Sequence, residues 1–365
     1  MDDLKSLLQA LSKAIGLPNL TSSLSGSFQT ATSELKEIDS TLTEIGKSAN
    51  MTNSRLQKLG DTSFEVAAKF GTRANDYLGS VQQMINAGYK NAVQMAELST
   101  LVQSADNIQS DLALDYVLAA DKAYDYAGNV EKLTKLLDGQ NQMARKNTLN
   151  MEELANATIA ASELLSDLPD IPEDKLSALL GTGLSVSNDS GKDVAAAIKD
   201  IVASLNAMDS LRDPIDLLSE LADTYNSLPN GSTRKMDLLS SISGGNHADF
   251  LDSLLSNWER YDEMLGDFGN ASGSMMGDAE KSASTLNGTL NSLADTWTDT
   301  VNKIVDSDAL TGTVEILDTL LGGINNVTKA LDGLGVLGIA SGGALGGIMG
   351  AKGLGQRVIL ITTAV

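Results

Sequence analysis

From Leu24 to Leu59 the larger apolar residues recur in alternating steps of four and three: Leu24, Phe28, Ala31, Leu35, Ile38, Leu42, Ile45, Ala49, then Thr52, Leu56 and Leu59. A period of 3.5 residues held over about five heptads keeps one stripe turned toward a neighbouring helix, which neither a strand nor a loop can do. Gly26, Gly46 and the polar Thr52 weaken the stripe. Two arrangements satisfy it. One is self-association as a parallel coiled coil, with Leu24, Phe28, Leu35, Ile38, Leu42, Ile45, Leu56 and Leu59 as the oligomerisation seam. The other is a hairpin folded back on its own chain.

The same helical grammar continues downstream, and the expectation is an all-α chain. Residues 4–15, with Leu4, Leu7, Leu8, Leu11 and Ile15, form a short amphipathic stretch closed by Gly16, and Pro18 opens the next segment. Asp2 and Asp3 stand where a signal peptide carries positive charge. One helix is expected from Asp61 to about Gly88, and helix again from Lys90 to Ala127. Asn150, three residues ahead of Glu153, is a capping box that starts another helix. Pro169 stops that helix, and Pro172 begins a short one, with Glu173 and Asp174 at the positive end of its dipole. Gly181 and Gly183 are expected to end it. Val194, Ile198, Ile201, Val202 and Leu205 then share one face of a further helix.

Composition limits the chemistry. Asp and Glu number 48 against 26 Lys and Arg, a net charge of −22, which disfavours phosphate binding and hence specific nucleic-acid recognition. Tyr124 and Tyr126 could stack on bases, but packing at a helix end fits them better. Without cysteine there are no disulfides or thiolate metal sites, and His247 alone builds neither a zinc site nor a Ser–His–Asp triad. Ser272 lies in a Gly and Ser loop that is no nucleophile elbow. Glu152 with Glu153, and Asp170 with Asp174, read as helix N-terminal charges rather than a glycosidase dyad. No catalytic residue, metal or cofactor is expected. Aromatic residues make up only 4%, which argues against one large compact globule.

The stretch from Ala119 to Leu205, together with the later run Ile242, Gly244, Phe250, Leu254, Leu255, Asn257 and Trp258, resembles the core region of phage tail tape measure proteins. The likeness covers roughly residues 90–330 and is a long agreement of pattern, with no single diagnostic motif. It implies an elongated helical ruler and scaffold in the lumen of the tail tube, made in the host cytoplasm. Its implied partners are other copies of itself, the tail tube protein, tail assembly chaperones and distal tail proteins. It also implies a role in genome ejection through the host membrane. The alternative is a bacterial membrane-associated helical protein, of coiled-coil or pore-forming type.

Four regions are expected: an amphipathic helix and heptad segment over 1–60, a helical core over 61–265, low-density amphipathic helices over 266–332, and a glycine-rich apolar segment with its tail over 333–365. Gly333 to Ala351 holds no charge and would reach roughly 28 Å as a helix, about the thickness of a bilayer core. Its membrane candidates are Leu334, Val336, Leu337, Gly338, Ile339, Gly342, Gly346 and Ile348, with Gly338, Gly342 and Gly346 at the four-residue spacing of membrane helix contacts. A hinge or a buried glycine-rich helix remains the other reading, since glycine weakens helices. Tape measure proteins continue beyond such a segment, so the apolar, strand-like ending GLGQRVILITTAV raises the expectation of a truncated gene product.

Overall fold

In the computed structural model, residues 20–165, 171–243, 246–285 and 295 are described, with side chains from 33 onward apart from 163–165. Every regular element among them is an α-helix. The chain divides into two compact units, Val93–Asp278 and a second made of Met1–Ala92 with Ala279–Val365.

The terminal unit contains α1 (Leu20–Ala49), α2 (Asn53–Phe70) and α3 (Ala74–Asn86), each packed against the other two. Two breaks shape it. Asn50 takes a left-handed φ of 49° between α1 and α2, and Gly71 takes a φ of 68° while its N–H closes onto the Ala67 carbonyl. The helix expected over Asp61 to Gly88 is therefore two helices that turn at Gly71–Arg73. Its apolar residues, including Phe64, Val66, Phe70, Leu78 and Val81, face the interior from both pieces. Arg73 at the turn pairs with Glu34 of α1, and its Nε lies 3.6 Å from the carboxylate of Asp295, which is 3% exposed.

The second unit is built from α4 (Ala92–Asp106), α5 (Ser110–Ala123), α6 (Val130–Asn147), α7 (Met151–Leu165), α8 (Glu173–Val186), α9 (Gly191–Met208), α10 (Pro214–Ser227), α11 (Thr233–Ser243), α12 (Ala248–Ser256), α13 (Glu259–Gly269) and the start of α14 (Ser274–Ala283). The span expected to run helical from Lys90 to Ala127 is interrupted at Asn107, whose φ is 53°. Helix α8 is the hub, with α6, α7, α9, α12 and α13 against it. Its residues Leu176 to Gly183 are all buried, so no side of that stretch faces water.

Being surrounded explains the glycines of α8. Gly181 and Gly183 do not end the helix, which runs on to Val186. A Cβ on Gly181 would lie 2.9 Å from both Met143 and Met264, and one on Gly183 would lie 2.7 Å from Val194. They are kept small by neighbours on all sides, and close packing outweighs their weak helix propensity. Pro172 is the extended N-cap rather than the first helical residue, with ψ at 140°.

Helix α9 behaves as its stripe predicts. Val194, Ile198, Ile201, Val202 and Leu205 are all within the core, where Phe250, Leu254, Leu255 and Trp258 meet them from the later helices. The capping box before α7 is half formed. Asn150 Oδ1 accepts from the N–H of Glu152 at 2.9 Å, while Glu153 points away and accepts instead from the N–H of Gly191 at 2.6 Å. The Glu153 carboxylate thus caps α9 from another helix, at the positive end of its dipole.

Candidate functional site: the groove of the helical hairpin

The heptad stripe does not lie on one helix. The break at Asn50–Thr52 divides it, and α2 turns back along α1, so a single chain forms the hairpin that was one of the two arrangements open from sequence. Leu24 and Phe28 belong to the first part of α1, where only the backbone is described. Ile45 is fully buried, and Ile38 and Leu59 are each 6% exposed. Leu35, Leu42 and Leu56 are half-buried.

Two glycines set how near the helices come. A Cβ on Gly46 would meet Leu56 at 2.8 Å, and one on Gly60 would meet Leu42 at 3.2 Å. On the outer side of this contact, Leu35, Ile38, Leu42, Leu56 and Phe64 floor an open groove of about 350 Å³. Asp39 and Asp61 stand at its edges with Thr43, Asn53 and Gln57. The chemistry is that of an interaction surface: an apolar floor suited to a helix, with only acidic charge on its rim.

A second set of residues was not read from sequence. Helix α6 buries four polar or small positions in succession, Asp138, Gly139, Gln140 and Asn141. Gln140 is fully engaged. Its Oε1 accepts from the Tyr116 hydroxyl at 2.5 Å, and its Nε2 donates to Ser177 at 3.0 Å and Thr158 at 3.2 Å, joining α5, α8 and α7. Asp138 accepts from the N–H groups of Gly273 at 2.5 Å and Met275 at 2.8 Å, which are orphan donors at the start of α14. Asn141 donates to Asp106 at 2.8 Å, and Arg145 holds Asp278 through both carboxylate oxygens at 3.0 and 3.1 Å. Burial, helped by the charge of Asp278, pushes the Asp106 carboxyl up to about 7 against the opposing bond from Asn141. The signal was present in the polar run at the middle of an otherwise amphipathic helix, but periodicity assigns such residues to water.

Other sequence candidates have structural places. His247 is the N-cap residue of α12, and its Nε2 lies 3.2 Å from Asp200. Tyr124 and Tyr126 stack with ring centroids 5.7 Å apart at the end of α5. A basic neighbour absent from the sequence argument is there, since Lys132 Nζ sits 5.3 Å over the Tyr126 ring. The negative charges of Glu173 and Asp174 act on the Tyr124 hydroxyl, which opposes an approaching phosphate. Among the described residues no group of three or more His, Asp or Glu side chains is gathered as a metal site requires. Nor is any helix among them long and apolar enough to cross a membrane. The membrane candidates Leu334, Val336, Leu337, Gly338, Ile339, Gly342, Gly346 and Ile348, and the tail after them, lie outside the described residues.

No family model matches the chain, and no curated protein or solved structure is significantly similar to it.

Proposed function

We propose that this chain is a phage tail tape measure protein, a helical ruler and scaffold in the tail tube lumen. The observation that carries the reading is the pattern agreement over Ala119–Leu205 and Ile242–Trp258. The helical fold is consistent with it, because those two stretches supply one shared core: Leu154, Leu179, Val194, Ile201, Phe250, Leu254 and Trp258 are packed together. The acidic balance suits a lumen through which DNA must slide without sticking. Charged side chains beside that core form ion pairs. Lys175, for example, holds Asp213 and Asp216 at 2.6 Å each.

A ruler made of helix rises about 1.5 Å per residue, so each ten residues removed should shorten the tail by roughly 15 Å. The proportion should hold for deletions of whole heptads within 282–331, where sequence anchors are sparse. It should fail for deletions inside Val93–Asp278, which remove parts of a shared core. Electron microscopy of tails carrying such deletions in an intact parental gene measures this directly. Normally assembled tails of unchanged length would defeat the ruler. Tail tube and distal tail genes beside this one would support the reading over the membrane-associated alternative.

Self-association belongs to the same proposal, and the hairpin groove is where it is placed. Leu35→Asp with Leu42→Asp puts two charges on the groove floor while leaving the more deeply buried Ile38 and Ile45 unchanged. Sedimentation should then show the full chain moving from oligomer to monomer, with its helix content kept. A wild-type chain that is already monomeric at high concentration would remove the groove from the proposal.

A further inference from the structure

The connection between α10 and α11 is a tight turn, Pro229-Asn230-Gly231-Ser232, closed by the Ser232 N–H donating to the Pro229 carbonyl at 3.2 Å. Gly231 has a φ of 73°, the conformation a turn of this kind needs at its third position and one that glycine adopts without strain. Asn230 and Gly231 are both exposed. The N–H of Gly231 takes no part in the closing bond, and there is no side chain at this residue to shield it.

The Asn230 side chain is not left to water. Its Oδ1 accepts from Lys235 Nζ at 3.2 Å. That ammonium is held in place: Lys235 is 9% exposed, and its Nζ sits 4.1 Å over the Tyr225 ring. An ammonium bonded to an amide oxygen draws electron density from the carbonyl carbon and stabilises negative charge on that oxygen.

We propose that the Asn230–Gly231 turn is a self-modifying site, at which Lys235 activates the Asn230 amide for attack by its own backbone. The Gly231 nitrogen, losing its proton to solvent base, forms a bond to Asn230 Cγ. The bond from Cγ to the side-chain nitrogen breaks, and that nitrogen leaves as ammonia after taking up a proton. A five-membered succinimide ring remains. One water then opens it at either carbonyl, giving aspartate or isoaspartate, with no change of oxidation state. The aspartate product places a carboxylate beside Lys235 and near the N-terminus of α11, where both the ammonium and the helix dipole favour it. The isoaspartate product instead adds a methylene to the main chain and breaks the turn.

The test is incubation of the purified full chain at 37 °C and mildly alkaline pH, followed by trypsin and mass spectrometry of the peptide between Arg212 and Arg234. The expected result is steady conversion of Asn230 to the acid forms, faster than at the exposed Asn246 and Asn270, which precede His and Ala. Lys235→Gln should slow conversion several-fold, while Lys235→Arg, which keeps a cation over Tyr225, should restore most of the rate. Circular dichroism checks that each variant is folded. A folded chain in which Asn230 stays intact overturns the proposal, as does a folded Lys235→Gln that converts as fast as wild type.

Discussion

Gly191→Ala is expected to lose more than about 3 kcal/mol of stability, because overpacking against atoms that cannot move lies at the upper end of such costs. A Cβ there would stand 2.1 Å from the Glu153 carbonyl oxygen and 2.8 Å from the Ala157 nitrogen. Both are backbone atoms of α7, so no rotamer change relieves the clash, and α9 would have to lift from α7. Lifting it also breaks the 2.6 Å bond by which Glu153 caps α9 and draws Val194 and Ile198 out of register. Thermal melts followed by circular dichroism should show a fall of at least about 6 °C in the unfolding of this unit. Gly266→Ala, in α13 of the same unit, is the matched control. With nothing within 4 Å of its Cβ position, it should be neutral or mildly stabilising. Equal melting of Gly191→Ala and wild type would mean that α7 and α9 do not cross at this point.

The second large effect depends on pH. Burial raises the Asp106 carboxyl from 3.8 in the unfolded chain to about 7 in the fold. Between those values the native state binds more protons than the unfolded state, so stability falls as pH rises. The contribution of this group is complete below about pH 4, is lost progressively toward pH 7, and is gone above it. Asp106→Asn keeps an acceptor for Asn141 and removes both the charge and its repulsion by Asp278. Three pK units set a ceiling near 4 kcal/mol, and the partial exposure of Asp106 lowers the expected gain at pH 8 to about 1–3 kcal/mol. Urea titrations at several pH values should show the variant's advantage opening between pH 4 and 7 and then holding level. Parallel curves for the two chains would contradict a buried, proton-bound Asp106.

Local signals proved legible in this sequence, and long-range ones did not. The stripe from Val194 to Leu205 reads correctly because a single helix sets its period, and Asn150 reads correctly because a cap needs only its own next residues. Glu153 misleads for the opposite reason. The box pattern names a partner three residues back, whereas the structure supplies one in α9. Gly181 and Gly183 look like stops in isolation and are packing contacts once five helices surround α8. The turns at Gly71 and Asn107 interrupt stripes that continue in phase on either side, which hides them from any argument based on periodicity. The heptad of the hairpin is the sharpest case. Its spacing fixes that a helix must face it, while the identity of that helix depends on the three-residue turn from Asn50 to Thr52. As for the groove, its leucines were visible in sequence, but its acidic rim depends on how α1 and α2 are rotated.

The way α14 is fastened has a mechanical consequence. The chain leaves the Val93–Asp278 unit through α14, and the first attachments there are two backbone N–H groups held by one carboxylate, Asp138, followed one turn later by Asp278 on Arg145. A pull on this helix loads the Arg145–Asp278 pair and the two Asp138 bonds together with the buried side chains of Met275 and Ala279. Hydrogen bonds and ion pairs resist over a fraction of an ångström and then let go, while a packed core yields over longer distances. The fastening of α14 is thus a clamp of short-range polar bonds set beside a small apolar contact, and its two parts yield over different distances.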